Sequence, residues 1–142
     1  MRTIIAGSRS ITNLITVKKA IDQSGFKITS VVCGMARGVD KCGEAWAKMN
    51  GVPVDPHPCT SSDWTLYGKA AGMRRNERMS KVADALIAIW DGESSSTKDM
   101  IDRAKSKNLK VYIHMVEPVN KEYEYQKLLQ QNTEDDIFWR DE

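Results

Sequence analysis

The chain is predicted to fold as a three-layer α/β sandwich, a mostly parallel sheet of about five strands with helices on both faces, followed by a short C-terminal tail. Three observations lead there. Five apolar, strand-like runs alternate with stretches of helical periodicity. Three of those runs break into turns rich in Gly, Ser or Thr just ahead of a helix: Gly7-Ser8-Arg9-Ser10, Gly34 to Gly38 and Gly92 to Thr97. The bulk numbers are those of one ordinary domain, 142 residues with 41% hydrophobic and 28% charged side chains. A domain of about 150 residues buries roughly 68–70% of its unfolded surface, enough for a core without staples.

Taken in order, Arg2 to Ala6 reads as the first strand, and a helix follows from about Thr12 to Ser24 with Ser10 or Thr12 as its cap. Ile11, Leu14, Ile15, Val17 and Ile21 give that helix an apolar stripe, and Gly25 ends it. Ile28 to Cys33 is a second strand whose β-branched run implies burial on both faces. It breaks at Gly34-Met35-Ala36-Arg37-Gly38-Val39-Asp40. Glycines there leave backbone N–H groups uncovered at a helix start, a setting that invites an anion. Asp40, one step into the helix, can cap backbone donors or accept a ligand hydroxyl. The second helix runs from about Val39 to Asn50, with Trp46 on its core side and Gly51 as its stop.

Val52 to Asp55 is a short third strand, and Pro53, Pro56 and Pro58 mark its surroundings as an irregular connection or a sheet edge. Thr60 to Tyr67 reads as an irregular loop whose Trp64 and Tyr67 either contact a ligand base or tuck the loop onto the body. Gly68 to Val82 is helical, and Gly68, Ala71, Gly72, Arg75 and Met79 share one nearly bare face. Such a face allows close approach of another backbone and aims Arg75 at whatever that backbone encloses. Ala83 to Trp90 is a buried strand, and a string of hydroxyls, Ser94, Ser95, Ser96 and Thr97, precedes a helix from Lys98 to about Lys107. That string is a second anion cradle, with Asp99 in the first turn beside it. Leu109 to Met115 is the last strand. Residues 1–116 form the expected domain, and the tail 117–142, ending in Ile137-Phe138-Trp139, is expected to pack on the body or on a second subunit.

Several function classes fall away. No apolar run approaches the roughly 18 residues needed to span a bilayer, and Met1 to Gly7 lacks the form of a signal peptide, so a cytoplasmic protein without membrane partners is expected. Cys33, Cys42 and Cys59 include no CxxC, and His57 and His114 lie apart, so neither a disulfide framework nor a metal site is expected. The net charge of +2 conceals a tail of net −5 on a body of net +7, which suits a phosphate-bearing ligand or merely solvated lysines. In a parallel sheet the three turns converge outside the carboxyl ends of the strands. None is a GxGxxG with a downstream acid, and no GxxxxGK[ST] occurs.

Ile5-Ala6-Gly7-Ser8-Arg9, Cys33 to Asp40 with Ala45-Trp46-Ala47, Trp64, and Gly68-Lys69-Ala70-Ala71-Gly72 leading to Arg75-Asn76 and Met79 together resemble the YspA/YpsA-related branch of the SLOG superfamily. That superfamily joins DNA-processing protein A to the Lonely Guy phosphoribohydrolases, and the resemblance covers residues 3 to about 114. It implies a Rossmann-like fold, often a homodimer, whose crevice binds nucleotides or molecules derived from them. The implied ligand residues are Gly7, Ser8, Arg9, Gly34, Met35, Ala36, Gly38, Asp40, Arg75, Asn76, Gly92, Ser94, Ser95, Ser96 and Thr97. The chain departs from the pattern at two places. Asp91 to Asp99 keeps the threonine and one acid of the phosphoribohydrolase turn but loses its glycines, and Met35 stands where this branch has glycine.

Phosphate binding survives the first departure more easily than catalysis does. The leading expectation is therefore a receptor or sequestering protein for a nucleotide-derived molecule, with no cofactor. The alternative is hydrolysis of an N-glycosidic bond, with Asp99 as the carboxylate and Arg75 as the phosphate anchor. Single-stranded DNA binding ranks third, because aromatic residues are only 7% of the chain and such a groove relies on stacking.

Overall fold

The computed structural model describes residues 1–117, so the expected packing of the acidic tail falls almost entirely outside the described residues. The elements run β1 (Arg2–Gly7), α1 (Leu14–Ser24), β2 (Ser30–Cys33), α2 (Val39–Met49), β3 (Val54–Pro56), α3 (Ser61–Tyr67), α4 (Ala70–Val82), β4 (Ala85–Trp90), α5 (Ser95–Ser106) and β5 (Lys110–Met115). All five strands are parallel, in the order β3-β2-β1-β4-β5. The three-layer α/β architecture expected from the sequence is the one found.

Strand periodicity sorts the core into two halves. Ile5, Val31, Cys33, Ile87 and Ile89 point to one face of the sheet, where Val17, Ala20 and Ile21 of α1 and Val39, Cys42 and Ala47 of α2 cover them. Their sequence neighbours Ile4, Ala6, Val32, Leu86 and Ala88 point to the other face, under Met79 of α4 and Met100, Ile101 and Ala104 of α5. Gly43 lets α2 lie directly on β1, because a Cβ there would stand 3.0 Å from the Ile5 side chain.

The local differences have local causes. Asn13, not Ser10 or Thr12, caps α1 by accepting the Ile15 N–H at 2.9 Å, so the helix starts two residues later than expected. That phase leaves Ile15 outside the core, 76% exposed. The stretch expected to be an irregular loop is the helix α3. Thr60 and Asp63 form a reciprocal capping box, with Thr60 Oγ1 accepting the Asp63 N–H and Asp63 Oδ2 accepting the Thr60 N–H. Gly68, with φ of +55°, breaks the chain between α3 and α4 instead of opening α4. Ser94 caps α5, which places Ser95, Ser96 and Thr97 in its first turn and not in a loop before it. Among the described residues no helix is long and apolar enough to cross a membrane.

Leu86 is fully buried in the central strand β4, so Leu86→Ala should lower unfolding stability by about 2–5 kcal/mol, read as a lower midpoint in a urea titration.

Candidate functional site

β1 is followed by a helix on one face of the sheet and β4 by a helix on the other, so the two loops leaving the carboxyl ends of these paired strands part company. Between them opens a cleft of about 650 Å³ at the point where strand order reverses. It brings together Gly7, Ser8 and Arg9 after β1, Ala36 and Asp40 from the β2–α2 turn, Arg75 and Asn76 from α4, and Ser94, Ser95, Ser96 and Thr97 from α5. A second recess of about 270 Å³ takes in Gly34 and Met35 and shares Arg9, Ala36, Trp64 and Arg75 with the cleft.

The α5 end of the cleft presents the first turn of a helix. Ser94 Oγ accepts the Thr97 N–H at 3.4 Å and the Ser94 carbonyl accepts the Lys98 N–H at 3.1 Å. The Ser95 and Ser96 amides have no acceptor among the described residues and stay available at the positive end of the helix. Asp91 shapes the approach by accepting the Glu93 and Ser94 N–H groups, both at 2.9 Å. Partial burial works against these bonds, yet they hold its carboxyl below the ordinary value. Ser8 Oγ is buried close enough to Asp91 to favour that ionised form, but closes no hydrogen bond.

Arg75 is the centre of the arrangement. Its side chain is 6% exposed, its Nη1 donates to the Gly34 carbonyl at 2.9 Å and its Nε donates to Asn76 Oδ1 at 3.2 Å. No carboxylate among the described residues lies within 4.0 Å of it. A guanidinium carries five N–H donors, so three have no hydrogen-bond partner among the described residues. Gly34 is what lets it in. A Cβ there would stand 2.7 Å from Asp40 Oδ2 and 2.9 Å from Arg75 Nη1. Asp40 Oδ2 accepts the Ala36 N–H at 3.2 Å, while Oδ1 has no hydrogen bond among the described residues. Burial pushes Asp40 above its ordinary value against the pull of Arg75 and of the Ala36 N–H.

Asn76 links these groups to α5, because its Nδ2 donates to the Ser96 carbonyl at 3.1 Å and to Asp99 Oδ2 at 3.0 Å. Asp99 is thereby turned away. Its Oδ2 also accepts Arg103 Nε at 2.9 Å, and it does not line the cleft. Gly38 and Gly92 do not line it either. Gly38, at φ +77°, packs on the Ser8 and Arg9 backbone, where a Cβ would come within 2.5 Å of both carbonyls. Gly92 takes φ +80° against Met115. On the bare face of α4, no backbone of the described residues outside the helix comes within 4 Å of a Cβ built at Gly68 or Gly72. Gly72 opens room beside Arg75 and Trp64, the nearest groups to a Cβ there at 3.8 and 3.9 Å.

Four further wall residues, Lys69, Met73, Asp91 and Glu93, escaped the sequence reading. Lys69 lay inside a motif quoted for other positions, and the acids lay beside the serine string; side-chain type alone marked none of them. Trp64, left open between two roles, is 41% exposed and borders both cavities. Burial raises the Cys33 thiol to about 11; all three cysteines are free, none of them lines the cleft, and Cys59 borders the recess.

Fold and cleft define a Rossmann-like α/β protein with its candidate site at the switch point of the sheet. Among solved structures, DNA processing protein A (DprA) from Streptococcus pneumoniae matches with a TM-score of 0.65 at 14% identity, over 99% of this chain and 62% of that one. The chain thus shares its fold with a protein of which it spans less than two thirds, and the fold is the one that the motif resemblance implies. No protein-family model and no curated protein matches the sequence.

Because the native state holds the proton of Asp40 more tightly than the unfolded chain does, stability falls as pH rises from the ordinary Asp value of 3.8 through the raised native one. Asp40→Asn should therefore melt at a higher temperature than the parent at pH 7, with the difference shrinking toward pH 4 in a series of thermal melts.

Proposed function

We propose that the cleft binds a nucleotide or nucleotide-derived molecule and that the protein acts as its receptor or sequestering protein. One observation carries this: Arg75, a buried guanidinium that among the described residues has no carboxylate partner and makes only two hydrogen bonds, borders the same cleft as the Ser95 and Ser96 amides of the α5 N-terminus. Burying a cation without a counter-charge is costly, and a phosphate resolves the cost with charge-assisted bonds. The rest of a nucleotide finds matching chemistry. Asp40 Oδ1 can accept a ribose hydroxyl, and Trp64 with Met73 offers a half-exposed apolar surface for a base.

Hydrolysis of the N-glycosidic bond finds less support. It needs a carboxylate beside the sugar, and Asp99 is engaged by Arg103 and Asn76 outside the cleft. Single-stranded DNA binding finds less support too, since among the described residues the cleft is lined by one aromatic ring, Trp64, and by three acids, Asp40, Asp91 and Glu93.

A nucleoside 5′-monophosphate should raise the melting temperature, and Arg75→Ala should remove the shift. Arg9→Ala, at an exposed wall residue, provides a second variant that spares the core and should weaken the shift. A shift absent for every nucleotide tried, or unchanged in both variants, overturns the proposal. Chromatography should recover the ligand intact, whereas free base would replace the receptor by a hydrolase.

A further inference from the structure

The two cavities that meet at Arg75 differ in charge. The cleft mixes Arg9, Lys69 and Arg75 with three carboxylates, while the recess is lined by Arg9, Arg37 and Arg75 and, among the described residues, by no acid. Three arginines bordering about 270 Å³ give the space a positive bias that favours an anion. One of them, Arg75, is buried and borders both cavities. The backbone adds to this. The Arg37 N–H, in the turn between Gly34 and Gly38, has no acceptor among the described residues. Gly34 and Arg37 border the recess alone and the α5 serines border the cleft alone, so a phosphate resting on α5 leaves the recess unfilled.

We propose that the recess is a second phosphoryl subsite, and that the ligand is a nucleotide bearing a second phosphoryl group separate from its 5′-phosphate. This rests on the nucleotide reading of the cleft and specifies its ligand. The first phosphate lies at the Ser95 and Ser96 amides, the second among Arg9, Arg37 and Arg75, and Arg75 contacts both sides. Arg37 is exposed and absent from the cleft wall, which separates its role from that of the first phosphate.

Calorimetric titration of the full chain with AMP, ADP and adenosine 3′,5′-bisphosphate tests the subsite. The bisphosphate should bind roughly tenfold more tightly than AMP at low salt, with the gain shrinking as salt is added. Arg37→Ala should cancel that gain and leave AMP binding within about twofold, since charge-assisted pairing at the recess is all it removes. The proposal is overturned if the bisphosphate binds no better than AMP, if ADP matches it, or if the gain survives Arg37→Ala. It is also overturned if a single-stranded oligonucleotide binds more tightly than the bisphosphate. Bisphosphate binding that depends on Arg37 while AMP fails to bind would support the recess and count against the α5 seat. Failure of all three nucleotides removes both.

Discussion

The strand pair β1–β4 is the constraint from which the site follows. Five residue pairs hold the two strands in parallel register, from Thr3 and Ala85 to Gly7 and Ile89, and parallel strands require each crossover to travel over one face of the sheet. β1 leads to α1 on one side and β4 to α5 on the other, so the chain cannot close over the carboxyl ends of this pair. Gly7 keeps the gap narrow at its base, because a Cβ there would collide with the Ile89 carbonyl and with Val39. Gly38 then joins the β2–α2 turn to the loop after β1, and the Val39 N–H donates to the Ser8 carbonyl at 3.4 Å. The crevice is therefore a product of backbone packing before any side chain enters it.

Within the crevice, ordinary stability would favour an arrangement that the chain does not adopt. Among the described residues Arg75 is buried without a carboxylate within 4.0 Å, while the buried Asp40 leaves one oxygen unbonded, and its burial outweighs the pull of Arg75 and favours the neutral acid. Polar groups left with unused bonding capacity beside a cavity differ from a structural ion pair, in which each charge satisfies the other. Ion pairing is abundant a turn away. Glu77 of α4 accepts from Arg103 at 3.2 Å and from Lys107 at 3.0 Å, and Arg103 also holds Asp99. That network clamps α4 to α5, and through Asn76 it fixes the position of the α5 N-terminus.

The candidate Asp99 shows how far spacing can take an argument. Asp99 lies close to the free amides in sequence, but α5 begins at Ser95, which puts this acid beyond the first turn, and a helix turns by about 100° per residue. Ser94, Ser95, Ser96 and Thr97 border the cleft, whereas Asp99 falls on the side facing Asn76 and Arg103. The bare face of α4 carries a similar lesson. Small residues signal that something comes close, and only the packing shows that it is the open cavity and the Trp64 ring, not another backbone. At Thr60 to Tyr67 the chain carries the capping spacing Thr60-x-x-Asp63, a helix start that the polar composition of the stretch conceals.

What the sequence determined by itself was whatever depends on near neighbours: strand runs that alternate between two faces, helices with an apolar side, glycine turns after the first and second strands, and the bare helix face that ends in Arg75. These are encoded by spacings of a few residues, where chain geometry leaves little choice. Tertiary structure alone decided which of those features meet. The order β3-β2-β1-β4-β5 sets residues 8, 40, 75 and 95 around one cavity, sends Asp99 elsewhere and gathers Arg9, Arg37 and Arg75 about a recess that no acid among the described residues lines. The reason is physical: burial, desolvation and the pairing of charges act across space between groups tens of residues apart, so they take their values only once the sheet has assembled.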